Sequence, residues 1–160
     1  AGNETTRNTI TGGLLALTEN PEEREKLLKD PSLIANASDE MLRWVSPVIY
    51  FRRTATKDTE IRGQKIKEGQ KVAMWYGAAN RDEEIFEDSQ KFLVDRENAN
   101  KHLAFGAGQH LCLGNQLGKM QIRVLFEELL KTFPNMHSVS EPVRVSSNFL
   151  DAISDLQVNS

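Results

Sequence analysis

The segment from Phe105 to Gly114, Phe-Gly-Ala-Gly-Gln-His-Leu-Cys-Leu-Gly, contains the residues best suited to chemistry. Cys112 is the only cysteine of the chain, and it lies just before a segment with the apolar spacing of a helix. A thiol near a helix N-terminus is stabilised as thiolate by the helix dipole and by unpaired backbone N–H groups. Gly106 and Gly108 allow the backbone to approach a bulky, flat group, and Phe105 can shield one side of the sulfur. The segment therefore has the features of a thiolate ligand site.

Three other interpretations compete for this segment. A lone cysteine is most often a small buried apolar residue, and Cys112 taken alone favours that interpretation. The surrounding glycines and Phe105 instead favour a ligand role for the cysteine over that of a buried apolar residue. A dinucleotide-binding fingerprint fails, because Leu111 stands where its third glycine should be. A catalytic Cys–His pair with His110 is possible, but a neighbour two residues away is poorly placed to accept the thiol proton. Ligation by Cys112 is the favoured interpretation.

Two further motifs precede the cysteine. Glu40 and Arg43 are three residues apart on one predicted helix face, where a solvated pair contributes about 0.2–0.5 kcal/mol. The first residues, Ala-Gly-Asn-Glu-Thr-Thr, bring together the carboxylate of Glu4 and the hydroxyl of Thr5, the groups that a water-fed proton relay requires. Taken alone, the first motif is an ordinary surface ion pair. The second is an ordinary polar helix turn whose threonines bond back to carbonyls.

Apolar periodicity predicts a mainly α-helical chain with small β-sheets. A helix is expected to open at Pro21, and Pro47 and Pro134 are expected to follow the ends of others. The other predicted helices cover residues 1–19, 32–44 and 113–133. The predicted strands cover residues 48–51, 59–62 and 71–76, with turns at 63–64 and 68–70. Residues 80–100 lack periodicity and are expected to form a packed, irregular loop, and the tail after Pro134 to form short strands and turns.

Composition narrows the function classes. The chain of 160 residues has 20 basic and 23 acidic residues and a formal net charge of −3, so nucleic acid is not the expected partner. A single cysteine excludes an internal disulfide and fits a reducing, cytoplasmic setting. No apolar run approaches the ~18 residues of a membrane span. The first residues lack an initiator methionine and run directly into an apolar helix pattern, so we expect the chain to be a fragment.

The pattern Phe-Gly-x-Gly-x-x-x-Cys-x-Gly resembles the cysteine loop of the cytochromes P450, in which a thiolate ligates haem iron. The order of the motifs is also similar to that family: acid–threonine, Glu-x-x-Arg, strands, irregular loop, cysteine. This resemblance covers residues 1–114, and the following helix and strand-rich tail fit the family's C-terminal end. It implies the cytochrome P450 fold. Residues 1–160 would then be the C-terminal part of a single haem domain, starting in the helix above the haem.

The resemblance implies a set of haem-binding residues. Cys112 would be the axial ligand of the iron of haem b. Arg53 and His110 would bind the haem propionates, with a weaker case for His102. The complete implied set is Ala1, Gly2, Arg53, Phe105, Gly106, His110, Cys112 and Gly114.

Two further groups of residues gain roles from the resemblance. Glu4 and Thr5 would deliver protons during the activation of dioxygen. Glu40, Arg43 and Arg96 would form a buried charge network that holds the irregular loop beneath the haem. Removing one member of such a network is costly, because it leaves a buried charge without a partner.

Smaller features resemble the soluble bacterial P450s that oxidise the terminal carbon of sterol side chains with electrons from a ferredoxin and its reductase. These features are Ala-Gly-Asn-Glu-Thr-Thr-Arg, Leu42-Arg43-Trp44 and Ser147-Asn148-Phe149. The implied substrate pocket is apolar, which suits a lipid-like substrate, although buried strands have the same character. Its residues would be Val48, Ile49, Tyr50, Phe149 and Leu150.

One helix face carries two further charges. Lys119 and Arg123 lie four residues apart, and either form a solvated face or dock an acidic ferredoxin by charge complementarity. Leu117-Gly118-Lys119 stands where the family usually has Leu-Ala-Arg. Lys119 keeps the positive charge of the arginine but lacks its guanidinium fork.

The activity implied is that of a monooxygenase, which inserts one atom of dioxygen into an unactivated C–H bond. A peroxide-driven peroxygenase and an inactive haem-binding relic are the alternatives. The acid–threonine pair argues against both, since proton delivery to dioxygen is what the pair serves. A chain cut within a helix would expose a large apolar face. We therefore expect this segment alone to aggregate and to bind haem poorly.

Overall fold

The computed structural model describes residues 2–160; Ala1, one of the predicted haem-binding residues, lies outside the described residues. Among residues 2–160 there are five α-helices, and short 3-10 turns precede or connect other elements. The helices are α1 (Glu4–Glu19), α2 (Pro21–Lys29), α3 (Ile34–Val45), α4 (Tyr76–Ala79) and α5 (Asn115–Thr132). The 3-10 turns are Pro31–Leu33, Ala99–Lys101 and Gly108–His110. The predicted fold class, mainly α with small sheets, is confirmed.

The strands pair in four small antiparallel sheets, β1 with β4, β2 with β3, β5 with β8 and β6 with β7. Their bounds are β1 Tyr50–Thr54, β2 Thr59–Ile61, β3 Gln64–Ile66, β4 Lys71–Trp75, β5 His137–Ser138, β6 Val143–Arg144, β7 Ile153–Asp155 and β8 Val158–Asn159. The sheet of β1 and β4 leads directly into α4. It places Arg53, one of the predicted site residues, in a cavity that Gly106 and His110 also line.

Several elements differ from the sequence prediction, which contained neither β3 nor α4 and ended the first strand at residue 51 rather than at Thr54. Three further differences have a local description. The first strand begins at Tyr50, because Val48 makes only an isolated bridge with Leu150 of the tail. The turn between β2 and β3 consists of Arg62 and Gly63, whose φ angles of 48° and 81° match the type I′ hairpin. Helix α5 begins at residue 115 rather than 113, since the backbone and side-chain N–H groups of residue 115 both bond to the Cys112 carbonyl. Cys112 therefore lies three residues before the first helical residue.

The core lies where α1, α3 and α5 pack on one another. Gly13 of α1 permits this close approach: a Cβ there would lie 2.9 Å from Met41 Sδ and 3.3 Å from Phe126 Cζ. The buried core residues are Ala16, Leu17, Leu27, Ile34, Ala37, Met41, Leu42, Phe92, Val94, Ile122, Phe126 and Leu130. This packing fixes α3 behind the cysteine loop and α1 across from it.

The opposite side of α1 and α5 is open. A groove of about 950 Å³, here called the α1–α5 groove, runs between these two helices. One wall is formed within residues 2–11, at the start of α1, and the other within residues 120–133, at the end of α5 and just after it. Met120, Val124 and Leu125 are exposed along it. No helix among residues 2–160 is both long enough and apolar enough to cross a membrane.

Candidate active site

The cysteine loop is a closed turn that presents Cys112 at the surface. Gly106 and Gly108 adopt φ angles of 71° and 64°, in the left-handed region that favours glycine. The Cys112 backbone N–H donates to the Phe105 carbonyl at 2.9 Å, which closes the loop. The Cys112 side chain is exposed and makes no disulfide. Two glycines and one backbone bond therefore hold the thiol outward.

A cavity of about 250 Å³, here called the Cys112 cavity, lies between this loop, α1 and the start of β1. It brings together predicted site residues that are up to 110 positions apart in sequence. Those residues are Gly2, Thr5, Val48, Phe105, Gly106, His110 and Cys112. Leu42, Phe51, Ala104 and Ile122 give the cavity a mainly apolar wall.

A second cavity of about 280 Å³ adjoins the first and shares its Tyr76, Gly106 and His110 wall. It is lined by Arg53, whose half-buried guanidinium bonds within the described residues only to the Arg52 carbonyl, at 3.1 Å. An apolar cleft with a thiol in one part and a free cation in the next fits haem. The soft thiolate suits iron, and a guanidinium suits the carboxylates of the propionates.

The acid and the threonine of α1 lie on different sides of the helix. Thr5 lines the Cys112 cavity, and its carbonyl accepts a bond from Thr9 Oγ1 at 2.9 Å. Glu4 is about half exposed and forms an ion pair with Arg7 on the surface of the helix. The structure thus brings Thr5, but not Glu4, to the cavity wall.

Glu40 and Arg43 are fully buried and form a bidentate pair, with Nε–Oε2 and Nη2–Oε1 distances of 2.7 Å. Arg96 joins them, its Nε lying 3.2 Å from Glu40 Oε2. The structure therefore places the three residues of the predicted network in one buried cluster. Such charges are tolerated only when every partner is present.

The network is bonded to the irregular loop of residues 80–100. Arg43 donates to the carbonyls of Asn80 at 2.8 Å and Ser89 at 2.9 Å. The Leu93 N–H donates to Glu40 Oε1 at 2.9 Å. A loop without regular structure is thus held by buried charges in place of a strand partner.

The five residues predicted to line the substrate pocket lie in different parts of the structure. Ile49 and Leu150 line a different cavity of about 420 Å³, and Tyr50 stacks on Trp75 with ring centroids 4.8 Å apart. Phe149 packs at 5.7 Å against Phe51. Of the five predicted pocket residues, Val48 alone lines the Cys112 cavity and Phe149 approaches its wall through Phe51.

Three predicted positions, His102, Lys119 and Arg123, have different partners from those expected. His102 is buried, lines neither cavity and faces Asp39, so the structure does not place it where a propionate donor would stand. Lys119 is ion-paired with the same Asp39, and Arg123 lies 3.5 Å from Glu127. Gly114 precedes α5 and lines neither cavity.

Sequence reasoning missed Phe51 and Asn80. Phe51 lies two residues before Arg53 on β1, and the period of two along a strand could have placed both on the side of the cleft. Asn80 follows α4, and its Oδ1 accepts from the Leu103 N–H at 2.6 Å, so it ties the loop before the cysteine to α4. No local pattern indicates that contact.

Comparison with known proteins agrees with this geometry. The sequence model of the family described as Cytochrome P450 matches residues 1–152. The chain is 48% identical, over 99% of its length, to a methyl-branched lipid omega-hydroxylase of Mycobacterium tuberculosis. It is 44% identical over 98% to a linalool 8-monooxygenase of Pseudomonas putida, and 42% identical over 99% to a steroid C26-monooxygenase of Rhodococcus jostii. It spans 37%, 38% and 33% of these three relatives, respectively.

Solved structures give the same result. A cytochrome P450 from Novosphingobium aromaticivorans superposes with a TM-score of 0.93 at 47% identity, over 98% of this chain and 40% of that one. A Mycobacterium marinum cytochrome P450 in complex with pseudoionone superposes with a TM-score of 0.95 at 42% identity, over 99% and 38%. The chain therefore belongs to the cytochrome P450 family.

Proposed function

We propose that this chain is the C-terminal part of a haem-thiolate monooxygenase that hydroxylates an unactivated C–H bond of a lipid-like substrate. The observation that carries the proposal is the shared wall of Cys112 and Thr5 in one apolar cavity, with Arg53 in the adjoining one. Cys112 would hold haem b through its thiolate, and Arg53 and His110 would bind the propionates. When bound, haem supplies the redox-active iron at which dioxygen is activated.

The residues of α1 would then handle protons. The Thr5 hydroxyl stands at the cavity wall, where it can hold a proton donor next to the reacting oxygen. The Glu4 carboxylate is half exposed one residue away and can exchange protons with solvent. A carboxylate on the wet side and a hydroxyl on the apolar side form a short relay into the cavity.

An apolar substrate fits the wall formed by Leu42, Val48, Phe51 and Ile122. The relatives named above act on a methyl-branched lipid, linalool and a steroid, all of which offer methyl groups on apolar skeletons. We propose the end of a branched lipid or sterol side chain as the site of hydroxylation. The electron donors would be a ferredoxin and its reductase, in the cytoplasm.

The test is a reconstitution of the full-length haem protein with NADH, a ferredoxin reductase and a ferredoxin. A methyl-branched fatty acid and a cholesterol-type sterol serve as substrates, and hydroxylated product is measured by mass spectrometry. We expect product that requires all components and is lost in Cys112→Ala. Product formed faster with hydrogen peroxide alone would contradict the monooxygenase proposal and favour a peroxygenase. Haem binding without product under either condition would favour the relic.

A further inference from the structure

A cluster of three polar residues lies behind the cysteine loop and has no part in the proposed chemistry. His102 lies between the irregular loop and Phe105, and its side chain is 2% exposed. Asp39 comes from α3 and Lys119 from α5, so the cluster joins three separate elements. Both His102 and Lys119 contact the same Asp39 oxygen, Oδ1, the former at 3.3 Å.

The hydrogen bonds define the state of the imidazole. The Ala104 N–H donates to His102 Nδ1 at 3.1 Å, so Nδ1 is the acceptor nitrogen. The proton of the neutral ring is then on Nε2, which faces Asp39. Burial would raise the pKa of Asp39, but hydrogen bonds from His102 and Lys119 outweigh it and lower that pKa. Asp39 is therefore a carboxylate that holds two donors.

The imidazole is also packed against the cysteine loop. Its ring centroid lies 5.5 Å from that of Phe105, with the planes tilted by 54°. Gly118 of α5 lies beside the same ring, since a Cβ placed on it would be 3.6 Å from Phe105 Cζ. The Phe105 carbonyl accepts the 2.9 Å bond from the Cys112 N–H. Phe105 therefore connects His102 to the backbone of the cysteine.

We propose that His102, held by Asp39 and Lys119, is a positioning residue that fixes Phe105 and through it the orientation of the Cys112 thiolate. The inference rests on the proposed function, because it assigns His102 a part in thiolate ligation. It also gives a role to one departure from the family pattern, because Lys119 reaches Asp39 with an ammonium group. Loss of the cluster loosens the ligand while the buried network of Glu40 and Arg43 remains intact.

The test measures how long the reduced carbon monoxide complex of the full-length haem protein keeps its thiolate-type Soret band at a fixed mild urea concentration. His102→Leu removes both hydrogen bonds of the ring and should shorten the half-life of that band at least threefold. His102→Asn places an amide oxygen near the position of Nδ1. It should restore at least half of the loss in the logarithm of the half-life that His102→Leu causes. Asp39→Asn and Lys119→Met should fall between these two variants.

Asp95→Asn is the matched control, because it also removes a carboxylate paired with a lysine, Lys26, but away from the cysteine loop. It should leave the half-life of the band unchanged. Equal half-lives for wild type, His102→Leu and Asp39→Asn would overturn the inference. The inference would also be overturned if the half-life of the band fell in each variant only in proportion to its free energy of unfolding, because a purely structural residue gives that result. If His102→Leu does not fold, Asp39→Asn decides the question. A wild-type protein without a thiolate-type band would instead contradict the proposed function.

Discussion

The two sides of the molecule differ in which side chains are buried and which are exposed to solvent. Behind the cysteine loop, Arg43 and Glu40 are fully buried, and each is bonded to partners from α3 and from the irregular loop. In the α1–α5 groove, Val124 and Met120 are 45% and 50% exposed, and the cavity of about 950 Å³ is open. Polar groups are buried on one side, and apolar groups are exposed on the other.

This difference separates two tasks. The ligand role proposed for Cys112 requires that its side chain be held in one orientation. A network of buried charges with full hydrogen bonding gives a single arrangement, and removing one member causes a large loss of stability. The groove has no such constraint, because exposed apolar side chains on one helix face tolerate substitution. Mutations should therefore have unequal effects on the two sides.

The largest effect is expected for Arg43→Ala. This variant leaves the buried Glu40 carboxylate with Arg96 as its remaining charged partner and leaves the carbonyls of Asn80 and Ser89 without a donor. We therefore expect a loss of about 3–5 kcal/mol in the free energy of unfolding. Urea denaturation of the haem protein, followed by circular dichroism, measures the change.

The chain offers a matched control for this variant. Arg62 and Glu84 also form a bidentate pair, with distances of 3.0 and 2.6 Å, but both side chains are exposed. Arg62→Ala should leave the urea midpoint almost unchanged, since solvent screens exposed pairs. Equal effects of Arg43→Ala and Arg62→Ala would show that burial does not distinguish the two pairs.

The next effect concerns the two sides of α1. Thr5→Val keeps the shape of the side chain but removes the hydroxyl at the cavity wall. We expect the yield of hydroxylated product per NADH to fall at least about tenfold, since a positioned proton donor contributes about 10²–10⁴-fold. Glu4→Gln should cost less, because Glu4 lies on the solvent side, where water can replace it. A larger loss for Glu4→Gln than for Thr5→Val would reverse this assignment.

A smaller effect is expected for Asp39→Asn, and it depends on pH. Hydrogen bonds from His102 and Lys119 lower the pKa of Asp39 in the folded protein despite its burial. A carboxyl group with a lowered folded pKa stabilises the protein above its unfolded pKa, about 3.9, and loses that contribution as the pH falls through its folded pKa. The free energy of unfolding of wild type should exceed that of Asp39→Asn by about 1–3 kcal/mol at pH 7.

Urea titrations at a series of pH values measure that difference. The difference should stay constant from pH 7 to about pH 5 and shrink below about pH 4. A difference that grows as the pH falls would contradict the ion-paired state of Asp39.

The smallest effect on stability is expected in the groove. Val124→Lys and Leu125→Lys should change the free energy of unfolding by less than about 0.5 kcal/mol, because both side chains are exposed. The 160-residue chain by itself should self-associate through this apolar face, and the two substitutions should reduce that association. Sedimentation velocity at several concentrations measures it. A monomeric chain that binds one haem per molecule would contradict the expectation.

Much of the site could be predicted from the sequence because its signals are local. The glycines around Cys112 determine the shape of the loop within ten residues, and Glu40 and Arg43 share a helix turn. The four longer helices were predicted to within a few residues, since their apolar spacing and prolines are also local, whereas the short α4 was not predicted. The Arg96 contact and the propionate residues followed from family resemblance, and their roles stay predictions.

Contacts between distant segments could not be predicted in the same way. His102 finds Asp39 63 positions away, and Val48 bridges Leu150 instead of extending β1. The motif includes Arg7, the partner of Glu4, but it does not indicate where the cavity lies, and so it could not show that Glu4 faces away from the cavity. Burial and side-chain orientation are properties of the packed chain. The family resemblance therefore grouped pocket residues, such as Val48 and Ile49, that line different cavities in the structure.

The central claim is that Cys112 ligates haem iron as a thiolate. The carbon monoxide difference spectrum of the reduced full-length protein tests it most directly, with Cys112→Ala as the comparison and His110→Ala as the control for a neighbouring histidine. We predict the red-shifted thiolate-type Soret band in wild type and in His110→Ala, and its loss in Cys112→Ala. A band at the position of histidine-ligated haem in wild type, or a thiolate-type band that persists in Cys112→Ala, would contradict the account.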